Sequence, residues 1–451
     1  MLSKRTLFPI KQSPIRKIGI LGLGRTGMAT IKLALKNHIE PYIFDDKPNF
    51  IPDEYRNFFK SYHEWPWNEL DAVILSPGVP TYLPKPHVVV FLSKNSNVPI
   101  ISDIELVIRL QGISKWVVIT GTNGKSTTTA LTAHILKSAG KSISVGGNLG
   151  TPMAELDSPG ENGIRVVELS SYQLEITPSL NPDVSAILNL SPDHLERHGS
   201  MENYAAAKAK AIKNVKSDGL IILGNNPNLL SLLPAKYTCS LYQIKQADTP
   251  RGACKNIALS GSHNAENAAV AARICRHFDI SEKNINKSIL SFKGLPHRLE
   301  LVASCNLNGN RLHIINDSKA TNDDAASKAL SSFKHIFWCA GGIAKEKKLT
   351  NCIAHLSHVE RAYLYGDSQP LFQSELSGLL PLTLAKNLKD ATNKAFADAK
   401  QFTRQHKVDS FILLSPAAAS FDAFENFEVR GKQFTDLAKI LCQQVQDKEA
   451  C

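Results

Sequence analysis

The chain has 451 residues, a formal charge of +11 and 43% hydrophobic residues, a length that exceeds one ordinary core and calls for two or three domains. No apolar run approaches the roughly 20 residues of a membrane span, no basic run interleaved with aromatics marks a nucleic-acid face, and the start MLSKRTLFPIKQSPIRK lacks the apolar stretch of a secretory signal. The charge is therefore read as a cleft serving anionic ligands, and the expected address is the cytoplasm. The eight cysteines show no C-x-x-C pair and no histidine at zinc-site spacing, so reduced, structural thiols are expected.

In chain order, KIGILGLGRTGMATIKLALKNHIEPYIFDD reads as strand, glycine turn, helix and strand. Gly22, Gly24 and Gly27 form G-x-G-x-x-G, and Asp45 and Asp46 close the second strand eighteen and nineteen residues after Gly27. These glycines report only that backbone approaches a diphosphate closely, so a UDP group fits as well as NAD. DAVILSPGVP, with Ser76, Pro77 and Gly78, is either a ligand turn at the same sheet edge or a plain structural turn. A first domain over 1–112 is expected.

The next stretch, WVVITGTNGKSTTTALTAHILKSAG, is an apolar strand, a Gly-Lys-Ser turn and a helix stopped by Gly140. It is a phosphate-binding loop of the variant form G-x-x-G-K-S. Gly121 and Gly124 free backbone N–H groups, Lys125 adds a mobile charge and Ser126 is placed for magnesium. Strands SISVGG, IRVVELSS, DVSAILNL and GLIILG follow, delivering Asn148, Glu168, Asp193 and His194 near their carboxyl ends, where an open parallel sheet binds ligands. Glu168 either meets Mg²⁺ or ion-pairs with a lysine such as Lys208. His194 either joins the metal or merely begins a helix. Lys208, in ENYAAAKAKAIKNV, reads from spacing as a solvated helix face, although its alanine neighbours allow a close approach to a sheet. Residues 261–278 read as an Ala-rich helix packed on that sheet, closing a central domain at 113–299.

RLHIINDS, HIFWCAGG, ERAYLYG and DSFILLSP are four strands of a third doubly wound domain, 300–451, ended by a helix over 429–446. Here Asp317, Lys319, Thr321 and Lys345 form an electropositive rim suited to an amino-acid carboxylate. Ser415, Ser420, Phe421, Phe424 and Phe427 lie in SPAAASFDAFENFEVRG, with core packing expected of at least one of the aromatics.

Taken together, GTNGKST, ELSSYQLE, NLSPDHLERHG, YAAAK, GSHNAENA, GLPHRLE, NDSKATN and SPAAASFDAFENFEVRGKQF resemble the Mur ligases, in the family's order and over essentially the whole chain. Individual pieces are shared with folylpolyglutamate synthase in the P-loop domain. The GLGRTG unit and the SFDAFENFEVRG turn favour the member that adds D-glutamate to UDP-N-acetylmuramoyl-L-alanine. The resemblance implies a three-domain α/β fold with Rossmann-like first and third domains around a P-loop ATPase domain. The implied chemistry phosphorylates the alanyl carboxylate with ATP and lets the D-glutamate amine attack the acyl phosphate.

By the same resemblance, Gly121, Thr122, Asn123, Gly124, Lys125, Ser126, Thr127, Asn264, Arg298 and Asp317 serve ATP. Ser126, Glu168, His194 and a carbamylated Lys208 hold two Mg²⁺ ions. Gly22, Gly24, Arg25, Thr26, Gly27, Asp46, Lys47, Ser76, Pro77, Gly78 and Asn148 hold the UDP substrate. Lys319, Thr321, Lys345, Ser420, Phe421 and Phe427 take D-glutamate, and Lys125, Lys208, His194 and Lys319 are the catalytic set. Two departures stand out: GGIAKEKKL offers Lys347 and Lys348 beside Lys345, and Asp46 replaces an expected hydroxyl residue at the uridine corner. The expected protein is a monomer. Its rivals are another amino-acid-adding Mur ligase, a nicotinamide oxidoreductase built on GLGRTG, which leaves the P-loop and third domain unexplained, and a non-catalytic nucleotide-dependent binding protein.

Overall fold

The computed structural model describes residues 14–48, 51–148 and 150–449. Most of the basic N-terminal stretch and Cys451 lie outside them. Three sheets appear, each flanked by helices, which is the three-part α/β architecture expected. In the first, β1 (Lys17–Leu21), β2 (Glu40–Phe44), β3 (Ala72–Leu75) and β4 (Ile100–Ile101) run parallel in the order β2-β1-β3-β4.

The second sheet holds β5 (Lys115–Thr120), β6 (Ile143–Gly147), β7 (Ile164–Glu168), β8 (Val184–Ile187), β9 (Leu220–Leu223) and β10 (Ser240–Gln243), parallel throughout, in the order β10-β9-β8-β5-β7-β6. Its inner strands are near-continuous apolar runs because helices cover both faces, so alternation is lost and burial is complete. The third contains β11 (Glu300–Leu307), β12 (Asn310–Asn316), β13 (Ile336–Gly341), β14 (Val359–Tyr365), β15 (Leu382–Leu384) and β16 (Ser410–Leu414), ordered β11-β12-β16-β13-β14-β15. All of its pairings are parallel except β11 with β12.

The chain gathers into two compact units, one of residues 1–249 and 269–285, the other of residues 250–268 and 286–451. The first two sheets belong to the first unit and the third sheet to the second. Among the described residues no helix is long and apolar enough to cross a membrane.

Four strands, β4, β10, β11 and β15, go beyond what the sequence predicts. The P-loop helix is Lys125–Ser138 and the last helix Phe427–Glu449, each slightly longer than expected. The expectation of reduced thiols is corrected at one pair: Cys305 on β11 and Cys442 on the last helix, with Cα atoms 5.6 Å apart, form a disulfide. Packing of that helix on β11 brings together two cysteines 137 residues apart, which spacing could not reveal. Of the free thiols, Cys239, Cys275, Cys339 and Cys352 are buried and Cys254 is exposed.

Candidate active site

The P-loop sits where β5 meets its helix. Gly124, in left-handed backbone at φ 82°, turns the chain into Lys125–Ser138, and neither a side-chain cap nor a first-turn acidic residue occupies the helix N-terminus. That end is electrically positive and open to anions. Lys125 Nζ donates to the carbonyls of Gly121 and Thr122, each at 2.9 Å, so the lysine lies folded over its own loop. The loop is braced from β8's end: Thr122 N–H donates to the Asn189 carbonyl at 3.1 Å, and Asn123 N–H to the Asn189 side-chain oxygen at 2.8 Å.

Beside it opens a cavity of about 290 Å³ whose lining includes Lys125, Asn148, Asp193, His194, Tyr204 and Lys208, with Pro77 and Gly78 from the turn after β3. Lys208 is 2% exposed, which corrects the solvated-face reading: Ala207 on the same helix is buried with it, and the small side chains admit the lysine to the interior. Its Nζ donates to the Gly121 carbonyl at 2.8 Å and lies 4.6 Å from the Tyr204 ring centroid. Burial, reinforced by the like charge of Lys125, lowers its ammonium to about 7.

Glu168, ending β7 and 1% exposed, does not ion-pair with Lys208; Asn148 Nδ2 donates to its Oε1 at 3.0 Å. Its Oε2 is buried without a hydrogen-bond partner. A hard cation suits that orphaned carboxylate oxygen, since an unpaired buried acceptor is costly and Mg²⁺ takes carboxylate oxygens. Among the described residues no three His, Cys, Asp or Glu side chains are already gathered as a metal cage. His194 is half-exposed, at φ 53°, with Asp193 at 3.4 Å and Glu196 at 3.6 Å.

Ser170, Ser171 and Tyr172 of ELSSYQLE and Tyr204 of YAAAK also line this cavity, with no role expected of them from the sequence. Ser170 and Gln173 form a reciprocal capping box at the start of helix Ser171–Glu175. His198, its imidazole lowered to about 4 by burial, packs between the Tyr172 and Tyr204 rings and contacts Ser171 Oγ at 2.9 Å.

At the first sheet, Gly22 adopts φ 94°, and a Cβ on Gly27 would meet the Gly22 carbonyl oxygen at 1.9 Å; around Gly24 there is open space. Helix Arg25–Lys36 starts at Gly24 with no side-chain cap and no first-turn acid. Asp45 accepts from Leu23 N–H at 2.7 Å and Lys47 N–H at 2.8 Å, fixing the glycine loop, whereas Asp46 pairs with His87 at 3.1 Å. Sequence gave no sign of His87. Arg25, Thr26, Ser76 and Lys47 flank this loop.

In the second unit, Asp317 lies at the end of β12, accepting from Leu299 N–H at 3.2 Å and Ser415 Oγ at 2.8 Å. Burial raises its carboxyl to about 7 despite those bonds and the nearby Arg298. The Lys319 ammonium lies 5.1 Å from the Phe427 ring centroid. Phe424 packs on the core, as expected of one aromatic, while Phe421 is 71% exposed. Ser420 is buried, Thr321 half-buried, and Lys345, Lys347 and Lys348 are all exposed. Asn264, buried, donates to the Ser260 carbonyl at 3.0 Å and accepts from Asn267.

Residues 119–275 match the family described as the Mur ligase middle domain. The chain is 36% identical to the UDP-N-acetylmuramoylalanine–D-glutamate ligase of Rhizobium etli, over 95% of this chain and 96% of the relative. It is 38% identical to the protein of that name from Rhodospirillum rubrum, over 96% and 97%. A solved UDP-N-acetylmuramate–alanine ligase from Thermotoga maritima superposes with a TM-score of 0.55 at 19% identity, covering 96% of this chain and 99% of its own, a likeness of fold.

Proposed function

This chain belongs to the Mur ligases, and from that membership we propose that its cavity joins D-glutamate to UDP-N-acetylmuramoyl-L-alanine in an ATP-dependent step of peptidoglycan precursor synthesis. The relatives' shared name supplies the substrates. The observation that carries the chemistry is the convergence on one cavity of a P-loop lysine, Lys208 and the turn at Gly78, next to a buried carboxylate with an orphaned oxygen.

The γ-phosphoryl group of ATP passes to the alanyl carboxylate, releasing ADP and leaving an acyl phosphate. The D-glutamate ammonium loses one proton to solvent and the free amine then attacks the acyl carbon; phosphate departs with the C–O electron pair and takes up the second proton, shed by the new amide nitrogen. Gly121 to Thr127 cradle the phosphates, and Lys125, released from its own loop carbonyls, follows the charge that develops on the transferred group. Asn264, Arg298 and Asp317 take the rest of ATP. Ser126, Glu168, His194 and Lys208 as its carbamate are the residues that would hold Mg²⁺, which when bound neutralises phosphate charge.

Carbamylation of Lys208 is the finer part of this reading. A buried lysine whose polar partner is one carbonyl, lowered to about 7, keeps much of its amine neutral and able to add CO₂. The loops at Gly22, Gly24, Arg25, Thr26, Gly27, Asp46 and Lys47, with Ser76, Pro77, Gly78 and Asn148, take the UDP substrate. Lys319, Thr321, Lys345, Ser420, Phe421 and Phe427 take D-glutamate. The domain limits at 112 and 299, a monomeric state and a cytoplasmic address complete the proposal. Phosphate release with UDP-N-acetylmuramoyl-L-alanine and ATP, measured across a panel of amino acids, tests it: release should require D-glutamate. Release with a different amino acid, or with none, would overturn it.

A further inference from the structure

The first unit contains an arginine outside the set proposed to hold the substrates, Arg197. Arg197 follows His194 by three residues, and no carboxylate among the described residues pairs with its guanidinium. Instead Nη1 donates to the Gly78 carbonyl at 3.1 Å and Nη2 to the Val79 carbonyl at 3.0 Å. Its planar face lies over Tyr172, 4.2 Å from the ring centroid. That ring stands edge-on to His194 at 5.3 Å and stacks on His198 at 5.3 Å.

The turn it grips is tied in the other direction too. Val79 N–H closes the turn on the Ser76 carbonyl at 2.9 Å, and Ser76 Oγ donates to the Gly22 carbonyl at 2.9 Å, inside the glycine loop. A continuous series of contacts thus runs from the glycine loop through the 76–79 turn and Arg197 to Tyr172 and His194. Two parallel N–H donors fix orientation as well as distance, a demand that a planar fork meets and a point charge does not.

We propose that Arg197 is a positioning residue: by clamping the Gly78 and Val79 carbonyls it sets the turn, and so the UDP substrate that the turn holds, against the His194 side of the cavity. The inference rests on the assignment of that turn to the UDP substrate. A merely structural tie would instead affect both ligands or the fold.

Calorimetry with UDP-N-acetylmuramoyl-L-alanine and titration with a fluorescent ADP, on the full-length wild type, Arg197→Ala and Arg197→Lys, separate the cases. The expected result for Arg197→Ala is a loss of UDP-substrate affinity of about tenfold, with ADP affinity within about twofold and partial rescue by millimolar guanidinium. Arg197→Lys, which keeps charge and bulk, should show most of the same loss with a cooperative thermal transition. Unchanged UDP-substrate affinity in both variants overturns the inference, as does an equal loss for both ligands. Failure of the wild type to bind the UDP substrate overturns the underlying assignment, and the inference with it.

Discussion

Lys208 is the residue whose environment departs furthest from its sequence context. An alanine-rich helix suggested solvent, and burial at 2% exposure was invisible because helical periodicity does not say how closely a helix approaches a sheet. Unfolded, its ammonium has the ordinary value of 10.5; folded, it is lowered to about 7. Between those values the unfolded chain holds more protons, so the lysine's contribution to stability improves as pH rises from 7 to 10.5, and below 7 its full burial cost remains. The neutral amine, the form that the proposed carbamylation requires, increases over the lower part of the same window. We expect a ¹³C-bicarbonate carbamate signal to grow between about pH 6 and 8, and to be absent from Lys208→Arg, which should be nearly inactive; full activity of that variant would remove the carbamate from the mechanism. Lys125→Ala should abolish turnover, yet leave UDP-substrate affinity by calorimetry within about twofold, because the role proposed for the lysine is on ATP phosphate. Glu168, Asn148 and His194 were legible from their places at strand ends. Tyr172, Tyr204 and His87 were not, since rings reveal their neighbours only once the chain is folded.

At the scale of elements, sequence located the β–turn–α units well, because a strand leading into a glycine turn and a helix is a local signal. It failed where pairing is non-local. Strand β10 sits at a sheet edge and half-exposed, so its four residues carry no apolar run. Strand β11 was legible and passed over: Asn308-Gly309 between LVASCNL and RLHII is the strongest short-range hairpin signal, and it sets the antiparallel pairing with β12. The capping box at Ser170 invites a direct test. Ser170→Ala should destabilise the first unit by about 1 kcal/mol in urea unfolding. It removes the bond to Gln173 N–H at 3.3 Å and leaves the glutamine without its hydroxyl partner.

Across the whole molecule one regularity holds. In each sheet the polar candidates lie at the carboxyl ends of parallel strands: Gly22 and Ser76, then Gly121 and Glu168, then Asp317 and Ser415. Those ends collect loops and helix N-termini, and a net charge of +11 adds a long-range attraction for a UDP-sugar, ATP and an acidic amino acid. Raising KCl from about 50 to 300 mM should therefore lower kcat/KM for D-glutamate several-fold, by shortening the Debye length. The Cys305–Cys442 link acts at the same scale, closing most of the second unit into one loop. Reduction, or Cys442→Ser, should cost about 2–5 kcal/mol, read as a lower calorimetric transition; no change on reduction would show that packing of the last helix alone holds that unit.

The three glycines of the first loop differ in what selection can do with them. Any codon change at Gly27 that adds a Cβ drives it against the Gly22 carbonyl at 1.9 Å, backbone on backbone, so no escape by side-chain movement exists. Gly24 faces open space and has φ −68°, a value any residue adopts. On the proposed assignment of this loop to the UDP substrate, resistance to an inhibitor competing there can arise by substitution at 24, trading substrate affinity for exclusion of the drug, while position 27 stays closed to every lineage. Deep mutational scanning for growth, with and without such a compound, should return surviving variants at the first position and none at the second.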